Sequence, residues 1–284
     1  MDDAAPSRTA LRVASHRAAH QLFDSPLVFD DPLALAIIGA DGAGRLRAAP
    51  EAHQDRFARA FRAFMVARSR FAEDELARAV RRGASQYIIL GAGLDTFAYR
   101  NPYRSPDLRV FEVDHPATQE WKRGLLASAA IAIPASVTLA PVDFERQTLA
   151  DGLARAGFDG RAPTFFSWLG VTMYLTHEAV ALTLAFIATT APGGGLVFDY
   201  AAPRSSLSPT GQLALDALSR RVAAAGEPFQ TFFDPRTLEG QLARIGFRSI
   251  EDLGADELNA RYFSDRADGL RVSGTLARLM RAEV

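Results

Sequence analysis

The chain has 284 residues, 48% of them hydrophobic and 23% charged, with a net charge of −1. That length can bury one sizeable core, and near-neutral charge gives no electrostatic footing for nucleic acid or an anionic membrane. Cysteine is absent, which excludes disulfides, thiolate catalysis and cysteine-based metal sites, and no metal site is expected.

The opening Met1-Asp2-Asp3-Ala4-Ala5-Pro6 is acidic and lacks an apolar segment, so it does not read as a secretory signal. No apolar run reaches the ~18 residues of a membrane span, and a cytoplasmic protein is expected. Residues 1 to about 80 lack strand signals. Asp30-Asp31-Pro32 ahead of Leu33–Gly39 reads as a short capped helix, with proline early and glycine closing it. Residues 51–81 follow a helical period that sets Phe57, Phe61, Phe64, Met65 and Phe71 on or near one face, where packing into a core is expected. Residues 1–82 thus read as a helical cap across the mouth of a following domain, 83–284.

From Tyr87 strands and helices alternate. The predicted strands are 87–90, 109–113, 137–140, 163–168 and 195–200, with helices over 116–129, 146–156 and 177–190. Such alternation implies right-handed crossovers and a largely parallel α/β sheet covered on both faces. Helices follow over 207–226 and from Asp234-Pro235 to Gly246. Two final strands are expected at 247–253 and 273–282, each interrupted by arginines.

Chemistry concentrates at the ends of the first three strands. Tyr87-Ile88-Ile89-Leu90 runs into Gly91-Ala92-Gly93-Leu94-Asp95-Thr96, where the two glycines let the backbone turn and approach a ligand. Arg109-Val110-Phe111-Glu112-Val113-Asp114 ends in an acid placed to hold a ribose diol. A dinucleotide loop carries a third glycine, but here that position is Thr96, and Asp95 would repel a pyrophosphate. S-adenosylmethionine has a sulfonium, an amino group and no phosphate, so it suits an acid-bearing loop. The third strand ends in Asp143-Phe144, where the carboxylate would accept from an adenine amino group and the Phe144 amide would donate to a ring nitrogen.

Gly91–Thr96, Phe111-Glu112-Val113-Asp114-His115-Pro116 and Pro163–Leu175, with Asp30-Asp31-Pro32 and Arg261–Gly269, together resemble the leucine carboxyl methyltransferase family. Within it the chain is most similar to the bacterial branch of S-adenosylmethionine-dependent O-methyltransferases that includes polyketide-tailoring enzymes. The resemblance implies a class I methyltransferase (Rossmann-like) fold, a mostly parallel seven-stranded sheet with helices on both faces and an N-terminal helical cap. It implies S-adenosyl-L-methionine as cofactor and methyl transfer to a carboxylate or hydroxyl of a small molecule such as a polyketide or other secondary metabolite.

By position, the resemblance assigns Asp114 to the ribose with His115 beside it, Asp143 and Phe144 to the adenine, and Gly91, Ala92, Gly93 and Asp95 to the loop under the methionine portion. It further assigns Arg68 and Arg17 to the cofactor carboxylate, a pairing suited to a bidentate guanidinium. Trp168-Leu169-Gly170 stands where the protein-carboxyl methyltransferases carry an acid, which favours a small acceptor and leaves Leu169 to touch the cofactor by packing. Tyr200, Arg261 and Tyr262 are candidates to face the acceptor, and the run Phe229–Phe233 to wall its pocket. No catalytic base is assigned. The rival readings are a member that binds cofactor without methylating, and a nicotinamide-dependent oxidoreductase.

Overall fold

The computed structural model describes residues 8–103, 108–143, 147–190 and 193–284. Among the described residues four α-helices precede the sheet: α1 Arg8–Phe23, α2 Ala34–Ile37, α3 Gly39–Ala48 and α4 Arg56–Arg81. The alternating part runs β1 Gln86–Leu90, α5 Phe97–Arg100, β2 Arg109–Asp114, α6 Pro116–Ser128, β3 Val137–Pro141, α7 Leu149–Arg155, β4 Thr164–Trp168, α8 His177–Ala188 and β5 Gly195–Ala201. It is followed by α9 Pro209–Ala224, α10 Pro235–Ile245, β6 Arg248–Leu253, α11 Ala255–Tyr262 and β7 Ala277–Glu283.

The sheet order is β3-β2-β1-β4-β5-β7-β6. The first five strands pair in parallel, and β7 lies antiparallel between β5 and β6. Strand residues alternate cleanly between two cores. Tyr87, Ile89, Val110, Phe165, Val197 and Leu279 pack with α4 and α11 on one face. Ile88, Leu90, Phe111, Val113, Phe166, Trp168, Leu196, Phe198 and Met280 pack with residues of α7, α8 and α10 on the other. Burial on both faces is why these strands are continuously apolar. The arginines that interrupt the last strand are cross-strand partners: Arg278 bonds Asp252 at 2.6 and 2.8 Å, and Arg281 lies 3.3 Å from Glu251.

The order reverses between β1 and β4, so the loops after these neighbouring strands splay apart and open a crevice at their carboxyl ends. Helices α1 and α4 lie over it. They are tied together by a fully buried trio in which Arg62 donates to Asp24 at 2.7 and 2.8 Å and His20 Nδ1 meets the same carboxylate at 2.8 Å. Burial alone would raise the pKa of Asp24, but the bonds from Arg62 and His20 outweigh it and hold the group down at about 2. Along α4, Phe64, Met65 and Phe71 are buried as expected, whereas Phe57 is 76% exposed because it sits in the first turn, beyond the sheet.

One histidine in this layer should shape the pH response. His16 stands edge-on to Phe61 at 4.8 Å, and its Nδ1 is buried without a partner. Burial, then the charges of Arg12 and Arg62, depress its pKa from 6.5 to about 3. The folded state therefore resists a proton that the unfolded chain takes up. The associated stability is complete above pH 6.5 and is lost as pH falls toward 3. His16→Phe is expected to flatten the fall of unfolding temperature over that window in calorimetry. Parallel profiles for the two proteins would contradict the assignment.

Candidate active site

The crevice is a cavity of about 540 Å³ bordered by the loops after β1, β2, β3, β4 and β5, by α1 and α4, and by Leu218–Gln230. That volume is in the usual range for a cofactor or ligand site. Its floor is the loop after β1, where Gly91 has φ +63° and Gly93 has φ +46°. A Cβ at Gly91 would lie 2.2 Å from Val171 Cγ2, and one at Gly93 would lie 3.1 Å from Ala10. Glycine is thus required for conformation and for space. Ala92 is buried beneath the turn, its amide bonded to the Val113 carbonyl at 3.0 Å.

Asp114, at the end of β2, accepts from the Gly93 amide at 2.5 Å and from the His115 amide at 2.7 Å. Burial pushes its pKa up, against the pull of those two amides. Behind it Glu112 bonds Lys122 at 2.8 Å and Tyr99 at 2.8 Å, a buried network that fixes the strand end. His115 also borders the cavity, but its Nδ1 accepts from the Ala117 amide at 3.3 Å as the N-cap of α6. Asp143 lies on the same rim. Phe144, expected beside it, lies outside the described residues. Leu169 is on the wall.

Asp95 bears on the phosphate question. Its Oδ1 accepts from the Phe97 amide at 2.8 Å, so a carboxylate occupies the N-terminus of α5 where a pyrophosphate would bind. Thr96, standing where a dinucleotide loop has glycine, donates to the buried Asp31 at 2.8 Å and locks the loop to the Asp30-Asp31-Pro32 segment.

Both expected carboxylate-binding arginines border the cavity, and both are already engaged. Arg17 donates to the Leu94 carbonyl at 2.6 Å and lies 3.3 Å from Asp31. Arg68 pairs through Nη1 with Asp199 on β5, whose other oxygen accepts from the Gly170 amide at 2.5 Å. Gly170 has φ +76°, and a Cβ there would meet the Arg68 guanidinium at 3.0 Å, so the glycine makes room for the arginine. Asp199 was within reach of sequence reasoning as the lone acid in an apolar strand, Leu-Val-Phe-Asp-Tyr, but strand assignment alone gives it no partner.

Two acceptor-side expectations are corrected and a third is qualified. Tyr200 reaches the cavity wall, but its hydroxyl is taken by Asp252 at 2.8 Å, a residue that does not border the cavity. Arg261 and Tyr262 are not at the cavity at all. They lie on α11, where Arg261 bonds Glu251 at 3.0 Å and stacks over Phe71, and Tyr262 donates to Asp74 at 2.9 Å. Of the Phe229–Phe233 run, Phe229 and Gln230 wall the cavity, whereas Phe233 is buried against His177 and Tyr200.

The structure adds residues that periodicity could not single out: Thr9, Arg12, Thr118, Met173, Tyr174 and Glu227. The Thr118 hydroxyl is buried at the cavity without a partner, as is Nε of Arg68. Unsatisfied buried donors of this kind call for an acceptor-bearing ligand. The cradle of Gly91 and Gly93, the acid at Asp114 and these donors fit an adenosine carrying an amino-acid tail.

A family model described as leucine carboxyl methyltransferase matches residues 10–188. A Bacillus subtilis protein provisionally named an S-adenosyl-L-methionine-dependent methyltransferase, YktD, is 34% identical over 95% of this chain and 95% of its own length. A Mycobacterium ulcerans protein with the same provisional description is 30% identical over 86% of this chain and 76% of its own. Among solved structures, a provisionally assigned methyltransferase from Thermobifida fusca superposes with a TM-score of 0.56 at 19% identity, over 88% of this chain and 91% of that one. A DUF574 family protein from Streptomyces avermitilis gives 0.54 at 19% identity, over 87% and 94%.

Proposed function

The chain belongs to the leucine carboxyl methyltransferase family, and from that premise we propose that it moves a methyl group from S-adenosylmethionine to an oxygen, carboxylate or hydroxyl, of a small molecule such as a polyketide or other secondary metabolite. The methyltransferase class and its cofactor follow from family membership. Transfer to oxygen and a small acceptor are our reading. The observation that carries it is the cavity itself: acids on successive strand ends at a glycine floor, continuous with an apolar wall of Phe61, Phe64, Met65, Met173, Leu218 and Val222. In this reading residues 1–82 form the cap and 83–284 the cofactor-binding core. Among the described residues no helix is long and apolar enough to cross a membrane.

Bound cofactor supplies an electrophilic methyl on a sulfonium. The chain's part is alignment and exclusion of water, effects worth several kcal/mol. Asp114 would hold the ribose, Asp143 the adenine edge, and Arg68 and Arg17 the amino-acid tail. Tyr174, bordering the same space, has its pKa pushed up to about 12 by burial and by Glu227. It therefore stays protonated at neutral pH, with the Thr9 side chain as a hydrogen-bond partner at the cavity edge.

Calorimetry with S-adenosylhomocysteine and with NADH tests the cofactor, and labelled-methyl transfer to a pool of small acids and phenols tests the acceptor. Binding of the former alone, with label in a product of either type, is expected. A base-labile product identifies an ester and a base-stable one an ether. Folded protein that ignores S-adenosylhomocysteine would refute the reading.

A further inference from the structure

We infer that Arg12 reads the acceptor, and that the acceptor is an amphipathic small molecule carrying a carboxylate as its anchoring group. The inference rests on the function proposed above and names the chemistry of its second ligand.

Among the described residues three cations border the cavity: Arg12, Arg17 and Arg68. Arg68 is neutralised by Asp199 and Arg17 lies against Asp31. Arg12 has no hydrogen bond or ion pair to any described residue. Its guanidinium sits half-buried over the face of Phe61, 5.2 Å from the ring centre. A cation withdrawn from water without a counter-charge is unfavourable, and the nearby Arg221 adds like charge. An anion arriving here relieves both terms and can take two parallel N–H bonds.

The surroundings define the rest of the molecule. Phe61, Met173, Tyr174, Leu218, Val222 and Phe229 give the cavity an apolar and aromatic wall, and Phe61 and Tyr174 stand next to Arg12. Glu227 stands on the same wall, held by the Thr9 amide at 3.2 Å. A single guanidinium in a cavity that also carries the Glu227 carboxylate suits a monoanion better than a phosphate dianion. A carboxylate drawn into two N–H bonds is a weakened nucleophile, so it serves as the anchor, and the methylated oxygen belongs to a second group. The three arginines keep different company: Arg12 lies over Phe61 with Arg221 nearby, Arg17 bonds the Leu94 carbonyl in the loop after β1, and Arg68 lies against Gly170 in the loop after β4.

The test screens small aromatic and aliphatic carboxylates and their matched primary alcohols by ligand-observed NMR against the full chain, with and without S-adenosylhomocysteine. Carboxylates should dominate the binders. The best of them should weaken at least ~10-fold in Arg12→Gln and recover in part in Arg12→Lys, while affinity for S-adenosylhomocysteine stays within about twofold. Equal binding of acids and alcohols, no acid binders, or acid binding untouched by Arg12→Gln would overturn the inference. So would a matching loss of S-adenosylhomocysteine affinity, which would assign Arg12 to the cofactor tail. Failure of wild-type protein to bind S-adenosylhomocysteine would sink the methyltransferase reading itself, a result recorded separately in the same series.

Discussion

Asp114→Ala is expected to reduce affinity for S-adenosylhomocysteine by at least ~100-fold in calorimetry, with the fold retained. The carboxylate already accepts the Gly93 and His115 amides, one on each oxygen, which leaves lone pairs free for a ribose diol. Hydrogen bonds to a charged group are worth about 1.5–3 kcal/mol each, so two lost bonds reach or exceed that factor. The same substitution releases the Gly93 amide, so the floor would also lose its tie to β2. Asp114→Asn separates the two effects. It keeps one carbonyl acceptor and much of the loop geometry but removes the charge, and should fall between wild type and alanine. Affinity of the alanine variant within threefold of wild type would remove Asp114 from the site, and with it the argument from strand ends.

Those strand ends were legible in the sequence because each reports a local rule. A short run such as Tyr87–Leu90 closed by glycine reads as a buried strand meeting a turn, and an acid ending the next strand then faces the same edge of a parallel sheet. What was not legible depends on partners distant in the chain. Arg261 and Tyr262 carry groups that suit an acceptor site, but Asp74, 188 residues away, claims Tyr262, and Glu251 on β6, ten residues back, claims Arg261 once β6 and α11 pack together. Tyr200 borders the cavity, but its hydroxyl is taken by Asp252, 52 residues away. Insertion of β7 between β5 and β6 is likewise a long-range choice, fixed by Arg278 and Arg281 finding acids on β6. At Gly170 the sequence showed only that an acid is missing nearby. Its positive φ and the guanidinium lying against it needed coordinates.

That guanidinium leads to the second large effect, on stability. Asp199 and Arg68 are 1% and 4% exposed, and the Asp199 carboxylate accepts from both Nη1 of the arginine and the Gly170 amide. Its backbone carbonyl also accepts the Thr172 hydroxyl at 2.6 Å, anchoring the turn after β4 to β5. Asp199→Ala would strand a buried cation and an amide together, and breaking a buried pair in this way costs about 3–5 kcal/mol. For a chain of this size that lowers the unfolding temperature by roughly 10 °C. Arg68→Met alone leaves the carboxylate stranded and should cost a similar amount. The double variant Arg68→Met, Asp199→Leu leaves no charge uncompensated, so it should recover much of the loss, since an apolar replacement of a buried pair is often neutral. The cycle therefore predicts strong non-additivity. Additive losses, or an Asp199→Ala protein that melts with wild type, would show that the two side chains do not depend on one another. If the double variant regains stability yet binds S-adenosylhomocysteine weakly, Arg68 contributes to the ligand as well as to the fold; if it binds normally, the pair is scaffold and the cofactor tail is held elsewhere.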